Sequence, residues 1–283
     1  MSDNVSTDSN ESTSFGAAVA SDNCRALNFI SSDLGKDIDL LLMFVPPKTG
    51  KLYKDVFPVC WKILSFDATG FAAVTVDYTA DSGFLVPQVQ AGSLVAASNA
   101  QSCKIGQECI LMTNEDGTGD YLSPAGDGDD GIGQECILMT NEDGTGDYLS
   151  PAGDGDDGVM QCRNDTQRPA RLGFGYINKA GNKIEPIVMW EDIAYDFLII
   201  LNLHRVILPS SSSSKGGTIA AQLYSTLRIY AVTGYKDTGL IRSEIRSPIL
   251  FEKNLVSLAS FTEWMVSIDE GTGEVKIEKL ISR

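Results

Sequence analysis

Residues 71–80, "FAAVTVDYTA", alternate without a break: Ala73, Thr75, Asp77 and Thr79 fall on one face of an extended chain, and Ala72, Val74, Val76 and Tyr78 fall on the other. Successive side chains of a strand point to opposite faces, so the stretch predicts a strand with one face on a core and one toward water. Its neighbours repeat the theme. "IDLLLMFV" (38–45) halts at Pro46 and Pro47, and "VFPVCWKILSF" (56–66) reads as one strand halted at "DATG". Both are rich in β-branched or aromatic residues and short for a helix. "RLGFGYIN" and "IEPIVMW" flank the hairpin signal "KAGNK". In "STLRIYAVTGY", Leu227, Ile229, Ala231 and Thr233 oppose Thr226, Arg228, Tyr230 and Val232. "FTEWMVSIDEGTGEVKIEKLI" reads as a hairpin around Asp269 to Gly273, and Glu252 to Ser260 is the one segment read as a helical turn. Short strands at regular spacing without alternating helices predict an all-β protein. The expected architecture is an antiparallel β-sandwich, jelly-roll or immunoglobulin-like, over residues 24–283 behind a disordered acidic tail at 1–23.

Inside that domain lies a 27-residue unit present twice without one difference, at 105–131 and 132–158. Each copy parses as strand ("ECILMT"), turn ("NEDGTG"), strand ("DYLSP") and turn ("AGDGDDG"), so one copy predicts one hairpin. A whole added unit keeps strand and turn in phase, which lets the following chain rejoin the sheet. Complete identity indicates a very recent duplication or an assembly error, and the second copy need carry no function of its own.

The same loops carry the charge. The two copies hold fourteen acidic residues and no basic ones, which is most of the net charge of -16. The remaining body is close to neutral, so no dominant basic field supports nucleic-acid binding. A basic cluster at Arg163, Arg168, Arg171, Lys179 and Lys183 reads as a solvated sheet face. Asn114, Asp116, Thr118 and Asp120, repeated as Asn141, Asp143, Thr145 and Asp147, stand at positions one, three, five and seven of an EF-hand-like calcium loop. Alternate oxygens at that spacing turn toward one hard cation. The twelfth position is Ala125 in place of a bidentate glutamate, and a solvated acidic turn uses the same residue types.

Catalytic signatures are missing. No phosphate loop, nucleophile elbow or dinucleotide fingerprint occurs, and the single histidine, His204, sits in the apolar run 197–208 and reads as structural. That run, interrupted by Asn202, His204 and Arg205, is too short to span a bilayer. Residues 196–217, ending in "SSSSSKGG", read as an insertion or flexible linker. Six cysteines, one of them a copy, form no CxxC pair and predict reduced, mostly buried thiols. Trp61, Trp190 and Trp264 offer a sugar platform or, more in keeping with their apolar neighbours, core packing. The amino terminus lacks the basic and apolar regions of a secretory signal, so the expected location is the cytoplasm.

"LNFISSDLGKDIDLLLMFVPP", "VFPVCWKILSF" and "LIRSEIRSPILFEKNLVSLASFTEWMVSID" resemble a group of small cytosolic proteins of mushroom-forming fungi. The resemblance implies an all-β fold and no particular activity. In that group a short loop joins the strands corresponding to "PIVMW" and "AAQLYSTLRIY", so the longer segment here is expected to be a lineage-specific insertion or translated non-coding sequence. The functional expectation is a non-enzymatic binding protein, with a protein or glycan partner or a second copy engaged through sheet edges. The alternatives are a calcium-binding protein using the duplicated loops, and an enzyme of unknown class.

Overall fold

The computed structural model describes residues 24–48, 50–90, 94–103, 109–113, 120–124, 133–140, 147–155, 160–165, 169–194, 198–202, 218–222 and 224–280. The tail at 1–23 lies outside them. In chain order the strands are β1 (Arg25–Ser32), β2 (Ile38–Phe44), β3 (Val56–Pro58), β4 (Lys62–Phe66), β5 (Phe71–Tyr78), β6 (Ser82–Gln90) and β7 (Leu94–Cys103). There follow β8 (Cys109–Thr113), β9 (Asp120–Pro124), β10 (Gly133–Thr140), β11 (Asp147–Gly155), β12 (Met160–Asp165), β13 (Ala170–Ile177) and β14 (Ile184–Ile193). The last are β15 (Leu198–Asn202), β16 (Thr218–Gln222), β17 (Thr226–Ala231), β18 (Phe251–Asn254), β19 (Phe261–Ile268) and β20 (Val275–Lys279). The all-β expectation holds.

Two four-stranded sheets, β20-β19-β1-β5 and β18-β17-β2-β4, contribute to one buried core. Phe29 of the first meets Phe251 of the second at 6.3 Å between ring centroids, and Phe251 packs edge-on against Trp264 at 4.8 Å. A third sheet, β3-β14-β13-β6-β7, joins the same core where Phe44 lies 4.9 Å from Tyr176 and Tyr78 lies 4.8 Å from Tyr176. Apart from the tilted Phe44–Tyr176 pair these contacts are edge-on, which suits the ring quadrupoles and adds to the burial of the rings. The fourth sheet, β11-β10-β12-β15-β16, attaches through Asn164, whose Nδ2 donates to the carbonyls of Ile193 (2.6 Å) and Ala194 (3.1 Å). Most pairings are antiparallel, but β1 with β19, β10 with β12 and β15 with β16 are parallel, which a hairpin-by-hairpin reading of the chain does not anticipate.

Two assignments change. "VFPVCWKILSF" is not one strand: β3 pairs with β14 and β4 pairs with β2, so the chain changes sheets at Val59, Cys60 and Trp61. All three side chains are buried at this crossing, and that is why the apolar run shows no break. The helical turn expected at Glu252 to Ser260 is narrower than that: it is a single 3-10 turn at Leu255–Ser257, and the residues just before it form β18, which pairs with β17. Asn254 caps that turn by accepting the Val256 amide at 3.0 Å, and buried Leu255 anchors it.

Both copies of the repeated unit form hairpins in the same register: Cys109 faces Pro124 in β8-β9, and Cys136 faces Pro151 in β10-β11. Only the second copy joins a larger sheet, through β12; the first is a separate two-stranded sheet. Within the segment read as insertion or linker, Leu198–Asn202 is a strand with partners on both sides, β12 and β16, while 203–217 lies outside the described residues. Deleting 105–131 yields the same polypeptide as deleting 132–158, because the units are adjacent and identical. The single hairpin that remains is expected to take the place of β10-β11. Near-ultraviolet circular dichroism and the melting temperature of this variant should match the full chain within a few degrees, whereas loss of the aromatic signal would show that both copies support the core.

Candidate functional site

Every open sheet has two edges, and an edge strand offers unpaired backbone donors and acceptors to any other chain unless something blocks it. Here most edges are blocked. β20 carries exposed Lys276, Glu278 and Lys279; β18 is four residues long and carries exposed Glu252 and Lys253; β3 has three residues and ends in Pro58. On β4 the amide of Ile63 is taken by the Asp237 carboxylate at 2.5 Å. β11 contains Pro151 and faces a bulge at Glu135 and Cys136, β7 lies beside β8 and β11, and β16 has only five residues.

β5 is different. It runs eight residues with no proline, lysine or arginine, and its pairing with β1 has no bulge. Its single charge, Asp77, already accepts from Lys179 at 3.0 Å. Ala72 and Val74 pack on the core from its inner face, while Ala73 and Thr75 are exposed on its outer face and Phe71 is 72% exposed. Among the described residues, nothing pairs with its free side.

The strand is held firmly for docking. Asp33, with φ 46°, accepts the Gly70 amide at 2.9 Å and fixes the turn that leads into β5. At the other end Tyr78 donates to Ser225 at 3.0 Å, and Tyr176 approaches the same hydroxyl at 3.4 Å. Burial pushes both phenols above their ordinary range, so they remain neutral partners in this buried network.

A second feature is a cleft of about 690 Å³ at one end of the second sheet. It is lined by the start of β2 (Ile38, Asp39), the end of β17 (Ala231, with Val232 just beyond), Tyr235 and the loops at 36–37 and 243–247. The loop at 36–37 is anchored. Asp37 accepts the Ala68 amide at 2.8 Å, and Lys36 donates to the Gly273 carbonyl at 3.1 Å. Ahead of the 243–247 loop, Ile241 donates to the Pro58 carbonyl at 2.9 Å and Val59 forms a bridge with Leu240.

Several residues singled out in the sequence prove structural or lie elsewhere. Trp61, Trp190 and Trp264 are buried, so they make no sugar platform; Trp61 donates through Nε1 to Glu185 at 2.8 Å. Of the calcium-loop positions, Asn114, Asp116, Thr118, Asn141, Asp143 and Thr145 lie outside the described residues, as does His204. Asp120 and Asp147 open β9 and β11 opposite Thr113 and Thr140. Among the described residues no group of three or more His, Cys, Asp and Glu side chains is arranged to hold a metal. Of the basic cluster, Arg171 pairs with Glu191 at 3.3 Å and Lys179 pairs with Asp77. No helix of the described residues is long and apolar enough to cross a membrane.

Cys60 is a buried thiol that donates to the Lys62 carbonyl at 3.5 Å. Burial, aided by the nearby Asp237 carboxylate, pushes the Cys60 thiol up to about 12. Its usual value is 9.0, so the unfolded chain releases this proton first as the pH rises. Stability linked to Cys60 is therefore complete below pH 9 and is lost between about 9 and 12. Cys60→Ser is expected to flatten the alkaline limb of the stability curve, measured by urea unfolding at several pH values; an unchanged slope would contradict the burial assigned to this thiol.

Compared with known proteins, the chain matches no family model, and no curated protein or solved structure is similar to it.

Proposed function

We propose that the protein works by association and not by turnover, and that its partner is a second copy of the chain joined edge to edge through β5. The stacked first and second sheets are read as a β-sandwich of jelly-roll or immunoglobulin-like kind, with residues 105–158 as an insertion. The observation that carries the proposal is the contrast between edges of the four large sheets: lysine, shortness, proline, a bulge, a bonded amide or neighbouring strands guard β20, β18, β3, β4, β11, β16 and β7, and the free side of β5 has none of these.

Self-pairing fits the side chains as well as the backbone. An antiparallel two-fold pair places two residues on the same face only when their numbers share parity, as when Ala73 faces Ala73 or Val74 faces Val74. Outer residues Phe71, Ala73 and Thr75 then meet outer residues, and inner Ala72 and Val74 meet inner ones. No like charges are brought together, because Lys179 answers Asp77. The resemblance to small fungal proteins is compatible with this reading and adds no site to it.

Sedimentation over a range of concentrations tests it. The wild-type chain is expected to shift from monomer to dimer, and Ala73→Lys together with Thr75→Lys to stay monomeric at every concentration. Both positions are exposed, so the variant keeps its fold. A wild-type chain that remains a monomer, or a dimer that survives the paired lysines, would refute the proposal.

A further inference from the structure

The cleft at the end of the second sheet has no part in edge pairing, and its chemistry selects a different kind of ligand. Three acids (Asp37, Asp39, Glu244) and two bases (Lys36, Arg246) line it, so its field is slightly negative and disfavours phosphates and other anions. Its polar groups are numerous and of both kinds, which disfavours a lipid chain. Tyr235 and Ile245 supply apolar surface to the lining; both are half-buried and pack against the buried cluster that holds Tyr230 and Ile241.

The two aspartates are already positioned. Asp39 accepts from Ser65 Oγ at 2.6 Å and Asp37 accepts from the Ala68 amide at 2.8 Å, in each case through Oδ1. Among the described residues, each Oδ2 has no protein donor. Arg246, also in the lining, is exposed, with no ion pair among the described residues. Held carboxylate acceptors, a planar donor fork and an aromatic ring in the lining of one cleft match a ligand with many hydroxyls along its edge and C–H groups on its face.

We infer that this cleft is a binding site for a neutral saccharide. The sugar ring lies on Tyr235, neighbouring hydroxyls donate to Asp37 and Asp39, and a hydroxyl or ring oxygen accepts from Arg246. The bonds that hold Asp37, Asp39 and Lys36 mean that little ordering of these residues is needed on binding.

The test is an array of neutral and acidic oligosaccharides probed with the full chain, followed by calorimetric titration with the neutral oligosaccharide that it retains best. Wild-type protein is expected to retain neutral glycans. Tyr235→Ala should weaken the titrated affinity by roughly tenfold, the size of one lost aromatic contact. Tyr235 also packs against the sheet, so Asp39→Asn and Arg246→Ala serve as variants that leave the packing intact, and each should weaken binding as well. The Ala73→Lys, Thr75→Lys chain should bind as the wild type does, which separates this site from the edge. Retention of no neutral glycan, retention of acidic glycans or peptides alone, or affinities indifferent to Asp39→Asn and Arg246→Ala would overturn the inference.

Discussion

Replacing Phe44 by alanine is expected to destabilise the fold by about 3–5 kcal/mol, the range for truncating a buried aromatic side chain. Phe44 is 1% exposed and stands where three sheets meet: its ring lies 5.1 Å from Trp61, 4.9 Å from Tyr176 and 6.0 Å from Tyr78. Those partners come from different parts of the chain and cannot all move into the vacated space, because each is held by a polar tether. Trp61 is bonded to Glu185 at 2.8 Å, and the two tyrosines meet at the Ser225 hydroxyl. The lost ring therefore leaves a cavity instead of a collapsed core. Urea unfolding measures the loss, which corresponds to a fall in melting temperature on the order of 10 °C. A loss below about 1 kcal/mol would mean that the junction of the three sheets is not packed as described.

Gly175→Ala should also be strongly damaging, for a reason that involves backbone and not cavity. The strand pairing of β13 with β14 is irregular between Phe174 and Gly175. A methyl group at Gly175 would lie 2.1 Å from the carbonyl oxygen of Glu185 and 2.8 Å from the Pro186 Cα. Neither atom can swing away as a side chain does, so the strand itself must shift, at a cost of about 1–3 kcal/mol or more. The shift also drags the Glu185 carboxylate away from Trp61 and from Lys62, which it holds at 2.6 Å. Gly173→Ala is the internal control. Its nearest obstacles are Leu85 side-chain atoms at 2.5 and 2.9 Å, which have more freedom to rotate. Thermal unfolding should rank Gly175→Ala below Gly173→Ala; the reverse order would contradict the backbone argument.

Alternation alone makes β5 legible in the amino-acid sequence. Ala73 and Thr75 are exposed, and Val76 and Tyr78 are buried, as a two-residue period requires. Thr79 breaks the pattern because the strand has ended: it turns inward and donates to the Ile177 carbonyl. The same logic turns Leu227 and Ile229 inward on β17 but leaves Tyr230 facing outward, and Tyr230 is only 6% exposed. Its cover is the chain near Tyr235, Ile241 and Ile245, which packs over the outer face of the second sheet. Periodicity reports which side a residue takes, not what a distant loop lays over that side. The crossing at Val59 to Trp61 is hidden for a related reason, since residues buried between sheets look the same in sequence as residues buried within one.

The candidate sites are less legible. The acidic repeat stands out through composition, whereas the edge is defined by what β5 lacks and becomes visible only once its neighbours are known. The cleft joins residues near 37, 232 and 245, and no spacing in the sequence announces it. Even so, one signal is present: "FAAVTVDYTA" is a long alternating strand with a single charge, and such a strand needs protection if it stands at an edge.

Backbone hydrogen exchange within β5, followed as the protein concentration rises, asks most directly whether this edge joins two chains. Amides on the side facing β1 are protected at every concentration, because that ladder is intramolecular. The alternate amides between Phe71 and Val76 are expected to exchange quickly in dilute solution and to become protected as the dimer forms. Rapid exchange of those amides at all concentrations would contradict the account.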